Sequence, residues 1–153
     1  MNTQQNTDRD SVESTALLGL SCGLTEIIDW QTVLAAPRYA GGHEEVMRSI
    51  FGAGSEVIAW WSENNYQGTI AIAHKLTDGR VVVMTDYYGS CSGCDCWEGA
   101  TDEDAKKQVL DLVNNARVFG SLENAQAWCA DINATEKPHE YPFEAARNLW
   151  PNS

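Results

Sequence analysis

Three stretches in the middle of the chain have the pattern of strands: "EVIAWWSE" (56–63), "GTIAIAHKL" (68–76) and "RVVVMTDYY" (80–88). Each is rich in β-branched and aromatic residues and is bounded by turn-forming ones. Asp78-Gly79, between the second and third, is a two-residue type I′ hairpin signal. With those two residues as the loop, Ile70 falls opposite Tyr87, Ile72 opposite Thr85, His74 opposite Val83 and Leu76 opposite Val81. That puts one strongly apolar face on the hairpin. The other face, with Ala71, Ala73, Lys75, Val82, Met84, Asp86 and Tyr88, is more mixed. Helices are therefore expected over the first face, with the second partly exposed or meeting a partner.

Helical periodicity flanks this centre. "LTEIIDWQTVLAA" (24–36) predicts a helix capped by Thr25 and stopped by Pro37, with Ile27, Ile28, Val33 and Leu34 as its buried stripe. In "GGHEEVMRSIFGAG", Val46, Met47, Ile50 and Phe51 recur at helical spacing before Gly52 and Gly54. Further on, Ala105, Val109, Leu112, Val113 and Ala116 form an amphipathic series, opened by Thr101 and Asp104 in a capping-box spacing. "ARVF" (116–119) suggests a brief edge strand. Ser121 then caps a helix with Leu122, Ala125, Cys129 and Ile132 on its inner stripe, and "FEAARNLW" ends the chain as a short helix docked through Phe143, Leu149 and Trp150. The expected fold is α+β: a three-stranded antiparallel β-meander packed by several short helices. Residues 1–14 are expected to be a disordered tail, and 15–153 a single domain.

Composition narrows the function classes. With 22 acids against 10 bases the net charge is −12 over 153 residues. Binding to nucleic acid through its phosphates needs a basic footprint, so it is disfavoured, while a basic protein partner or mimicry of nucleic acid fits. No run approaches the ~18 apolar residues of a membrane span. The leader lacks the basic start of a signal peptide, and a cytoplasmic location is expected. The three histidines (His43, His74, His139) show no HExxH spacing, and Ser90 and Ser92 lack a nucleophile-elbow context. A histidine on an apolar strand face, as His74 is, is expected to be a packed one.

The densest chemistry is "YYGSCSGCDCWE" (87–98), with Cys91, Cys94 and Cys96 among small residues. Three readings fit it. Cys91, Cys94 and Cys96 could hold zinc with His74, Cys129 or Cys22 as a further ligand, although no second CxxC completes the site. Cys91 and Cys94 could form a thiol–disulfide centre, but Gly99 would interrupt the helix needed to lower a thiol pKa. The third reading is a shaped turn in which cysteine packs as a small hydrophobe. No cofactor is expected, zinc being the alternative.

The run "YYGSCSGCDCWE", followed by an acidic helix and "VFGSLENAQAW", resembles small uncharacterised proteins of phages and mobile elements with a YGSCSGCD turn. The resemblance covers residues 44–132 and rests on Tyr88 to Asp95, then Phe119, Ser121, Leu122, Glu123 and Ala125. Cys96 and Cys129 lie outside the shared pattern, which weakens a three- or four-cysteine zinc site. The resemblance implies a source and a fold but no activity. With the acidic charge, it leads to the expectation of a non-enzymatic interaction protein that binds and inhibits a host protein. The expected contact residues are Tyr87, Tyr88, Asp95 and Trp97, with Glu56 and Trp61. The alternatives are a thiol–disulfide oxidoreductase and a zinc-stabilised module.

Overall fold

A computed structural model describes residues 17–36, 43–63, 68–88, 100–134 and 143–150. The expected tail at 1–14 and the cysteine cluster at 91–96 lie outside them. The sheet has five antiparallel strands rather than the three of the expected meander: β1 (Leu17–Leu18), β2 (Ser55–Ser62), β3 (Gly68–Leu76), β4 (Val81–Tyr88) and β5 (Arg117–Phe119). Their spatial order is β1-β5-β4-β3-β2. The helices are α1 (Trp30–Ala35), α2 (His43–Ser49), α3 (Asp102–Asn114) and α4 (Leu122–Ala134). Short 3-10 segments at Gly19–Ser21, Leu24–Ile27, Gly52–Gly54 and Phe143–Asn148 complete the described elements. "ARVF" is a strand, but an interior one, because β5 pairs with both β4 and β1.

The β3–β4 hairpin turns on three residues, not two. Leu76 N–H donates to the Arg80 carbonyl at 2.8 Å, and Gly79 N–H donates to the Leu76 carbonyl at 3.0 Å. Thr77 and Asp78 form the turn, and Gly79 follows in the left-handed region at φ 94°, the three-residue loop with a glycine bulge. Arg80 N–H is held by the Asp78 carboxylate at 3.0 Å. Asp-Gly serves either loop, so the dipeptide alone does not fix the register. The extra residue shifts every pair by one: Ile70 lies opposite Asp86, Ile72 opposite Met84 and His74 opposite Val82.

A one-residue slip exchanges the faces of a strand. Val82 and Met84, expected on the mixed face, join Ile70, Ile72 and Leu76 in one core with Val118, closed by Val33, Val46, Met47, Ile50, Val109 and Val113. Val81 and Val83 instead join Ala71, Ala73 and Phe119 in a second core, closed by Ala125, Cys129, Ile132, Ala146 and Leu149. The second face is therefore covered, by α4 and the 143–148 segment. A sheet buried on both sides explains the unbroken apolar runs "TIAIA" and "VVVM".

Helix ends follow their local chemistry. Thr101 and Asp104 form the expected capping box, with Asp104 N–H to Thr101 Oγ1 at 3.1 Å and Thr101 N–H to Asp104 Oδ2 at 3.3 Å. Ser121 Oγ accepts from Asn124 N–H at 3.2 Å. The single helix expected over 24–36 is broken at Ile28 and Asp29. Asp29, not Thr25, caps α1: its carboxylate accepts from Thr32 N–H at 3.1 Å and Thr32 Oγ1 at 2.8 Å. Its own N–H donates to the Ile50 carbonyl at 2.7 Å. A side chain that satisfies the next turn and a backbone tied to a distant carbonyl together end one helix and start another. The break leaves Ile27 exposed, although the stripe predicted it buried.

Gly19 tucks beneath α3, and a methyl group there would overlap the Val113 carbonyl. Gly54 has open space around it. Gly19→Ala is expected to lower the unfolding free energy by about 1–3 kcal/mol or more, as overpacking does, while Gly54→Ala stays within about 0.5 kcal/mol of wild type. Urea titrations of the two variants check this, and equal midpoints would contradict the packing of 19–21 on α3.

Candidate functional site

The sequence-derived candidates separate into two groups. Tyr87 is 37% exposed near the end of β4 and lies opposite Thr69. Tyr88 is the last residue of β4, opposite Gly68. Trp61 lies opposite Ala71, half-buried against the second core. The pairing puts Trp61 and Tyr87 on the same sheet face and at the same strand end. Glu56 is exposed opposite Lys75, on that face but at the other end of β2. Asp95, Trp97, Cys91, Cys94 and Cys96 lie outside the described residues.

A residue not expected at this end is Glu63. Its N–H extends the ladder to the Thr69 carbonyl at 3.2 Å. Its Oε1 accepts from Thr69 N–H at 3.0 Å and from Thr69 Oγ1 at 2.8 Å. Gly68 leaves room for this, because a Cβ there would come within 2.7 Å of the Glu63 carboxyl group. Glu63, just past the end of β2, Thr69 in β3 and Tyr87 in β4 thus run as one row, with Trp61 beside it. The only sequence signal was the aromatic-acid string "WWSE".

The other tryptophan of the pair is the more exposed. A bulge at Ile58 shifts the β2 register between Val57 and Ala59, which places Trp60 opposite Ile72 on the first face. Trp60 is 46% exposed. The Arg48 guanidinium sits 5.0 Å from its ring centroid and pairs with Glu44 at 2.9 Å. This is a cation–π contact on a helical i,i+4 ion pair. It fixes the outer edge of α2 to β2.

His74 sits on the first face beneath α2 and is fully buried. Its Nε2 is 2.7 Å from the Met47 carbonyl, which only accepts, so Nε2 carries the proton. In the neutral ring Nδ1 then accepts from Ser55 Oγ at 3.0 Å. Phe51 packs edge-on at 5.2 Å. Both nitrogens are engaged within the protein, so metal ligation by His74 would break one of these bonds. Among the described residues no three His, Cys, Asp or Glu side chains converge on a metal-sized site.

Burial lowers the His74 pKa to about 4, against the opposing pull of the Met47 carbonyl and with help from the Arg48 charge. Burial pushes the Cys129 thiol up to about 12, which makes it an inert core group. The Asp29 carboxyl is held below its ordinary range by the Thr32 hydroxyl and backbone N–H. The Asp78 carboxyl is lowered chiefly by Arg80 N–H. Each of these groups has a structural role. An open groove of about 500 Å³ between α1 and α2 is lined by Gln31, Thr32, Ala35, Ala36, Glu45 and Ser49. Its one carboxylate is that of Glu45. No helix among the described residues is long and apolar enough to cross a membrane.

No protein-family model, curated protein or solved structure matches this chain.

The lowered His74 pKa has a measurable consequence. Between pH 6.5 and about 4 the unfolded chain takes a proton that the folded one refuses. The contribution is complete above 6.5, is lost as pH falls, and levels off below 4. Its size is about 3 kcal/mol. The total fall in unfolding free energy across this window, measured by urea titrations, is expected to be larger for wild type than for His74→Gln by about that amount. An NMR titration of the His74 ring near 6.5 would contradict the buried neutral tautomer.

Proposed function

We propose that the protein is a non-enzymatic binding protein of a phage or mobile element that engages and inhibits a basic host protein. The row Glu63–Thr69–Tyr87 beside Trp61 carries this reading. It places a hydrogen-bonded carboxylate and two aromatic groups on one sheet end. Aromatic side chains dominate the energy of many protein interfaces, and a carboxylate beside them favours a cationic partner. The net charge of −12 supports the same preference. β4 runs from this row directly into "GSCSGCDCWEG", which carries Asp95 and Trp97. Those residues and Tyr88 extend the proposed surface. The phage source rests on the resemblance of the 88–95 turn, which implies no activity; the inhibitory role is our reading of that source together with the acidic charge.

The test is saturable capture from a bacterial lysate on immobilised protein, followed by titration of the captured species. Tyr87→Ala and Glu63→Gln are expected to weaken binding at least about tenfold, an interface hot spot being worth about 2 kcal/mol. Both variants should keep the wild-type thermal unfolding. Capture that survives both substitutions would remove the surface assignment. Binding of free DNA in place of protein would remove the functional reading.

A further inference from the structure

We propose that two copies of the chain associate through the β1 edge, each Leu18 pairing with Leu18 of the other copy across a two-fold axis. Leu17 is 52% exposed, Leu18 42%, Leu20 67% and Ile27 42%. These four fall in one short stretch, folded as β1 and the two 3-10 segments after it. Among the described strands β1 lies at the border of the sheet, with β5 as its neighbour.

The backbone on that border is oriented by the ladder. Gly19 N–H donates to the Ala116 carbonyl at 2.9 Å, and the same register pairs Leu18 with Arg117 and Leu17 with Val118. Antiparallel pairs alternate between hydrogen-bonded and non-hydrogen-bonded. Leu18 is therefore in a non-hydrogen-bonded pair, and its N–H and C=O point outward from the sheet. In antiparallel pairing of Leu18 with its copy, each outward N–H donates to the other copy's outward C=O, the self-complementary contact a two-fold axis requires. β1 carries no charge, proline or bulge, the devices that usually block an open edge.

Other occupants fit less well. Of Leu, Ile, Val and Met residues, the segments outside the described ones contain Met1 and Val12 alone, so the chain brings little aliphatic surface of its own to this patch. A basic partner finds little complement, because Leu18 faces Arg117 and the Arg80 guanidinium lies against the Cys22 carbonyl at 3.3 Å. Glu26 is the acid beside Ile27. A second copy matches leucine with leucine. Its cost is repulsion between two chains of charge −12, which salt screens over about 8–10 Å. Four side chains fall short of the ~800 Å² per partner of a standard interface, so the dimer is weak, with Kd on the order of 10–100 µM.

Sedimentation equilibrium of the untagged full chain from about 5 to about 500 µM tests this. The expected result is a reversible dimer that tightens when NaCl rises from about 0.15 to about 0.5 M. Leu18→Pro removes the outward N–H, and the native φ of −75° accommodates proline. Leu20→Glu changes the most exposed of the four and leaves the strand intact. Each is expected to raise Kd at least about tenfold with unchanged circular dichroism. A monomer at every concentration would overturn the proposal. So would a dimer that both variants leave intact, or one that weakens with salt.

Discussion

The turn at Thr77–Gly79 is the constraint on which the rest of the molecule depends. Gly79 takes φ 94°, a conformation that costs a residue with a Cβ about 1–2 kcal/mol. Its N–H closes on the Leu76 carbonyl at 3.0 Å. That fixes a three-residue loop, and the loop fixes which residues of β4 face which side. Val82 and Met84 go to the helices α1, α2 and α3, and Val81 and Val83 go to α4 and the 143–148 segment. With a two-residue loop the same side chains would sit on the wrong sides, and neither core would close as it does. Arg80 reinforces the turn through Asp78 at 2.9 Å and reaches the Cys22 carbonyl, tying the hairpin to the start of the chain.

From that register the surface follows. The Ile58 bulge in β2 sends Trp60 to the α2 side, where Arg48 covers it, and Trp61 to the α4 side. His74 is drawn into the first core and uses both nitrogens to tie α2 to β2 and β3. Besides Trp60, two groups of described residues stand out at the surface. One strand end carries Tyr87, Glu63 and Trp61, the acidic-aromatic group proposed above as the contact surface. β1 at the far edge carries Leu17 and Leu18, and the 3-10 segments after it carry the exposed Leu20 and Ile27, the stretch proposed above to pair with its own copy.

Much of this architecture was legible in the sequence, and the reasons are local. Strand β3 matched "GTIAIAHKL" end to end, and the buried stripes of α3 and α4 followed from 3.6-residue periodicity. The Thr101–Asp104 box was readable because a cap is a contact between residues three apart. What escaped depended on distant partners. The loop length was hidden because Asp-Gly fits two turn types. The break at Asp29 needed the Ile50 carbonyl, 21 residues away in the chain. β1 has two residues, too few for a periodic signal, and it exists as a strand through Val118 and Arg117. Of the candidate site, Tyr87 was legible as an aromatic beside a glycine-rich turn and Trp61 as one of two adjacent strand tryptophans. Glu63 was not, since its position depends on Thr69 across the sheet.

The register of the hairpin is the central claim, and cross-strand NOEs test it most directly. The 2.8 Å bond between Leu76 N–H and the Arg80 carbonyl makes the even-numbered pairs the hydrogen-bonded ones. The odd pairs then have the closest α-carbons, about 4.5 Å apart. Strong Hα–Hα contacts are predicted for Ala71 with Thr85 and for Ala73 with Val83, matching the observed pairs. Contacts of Ile72 with Thr85, or of Ala73 with Met84, would restore the two-residue loop and contradict the two-sided core.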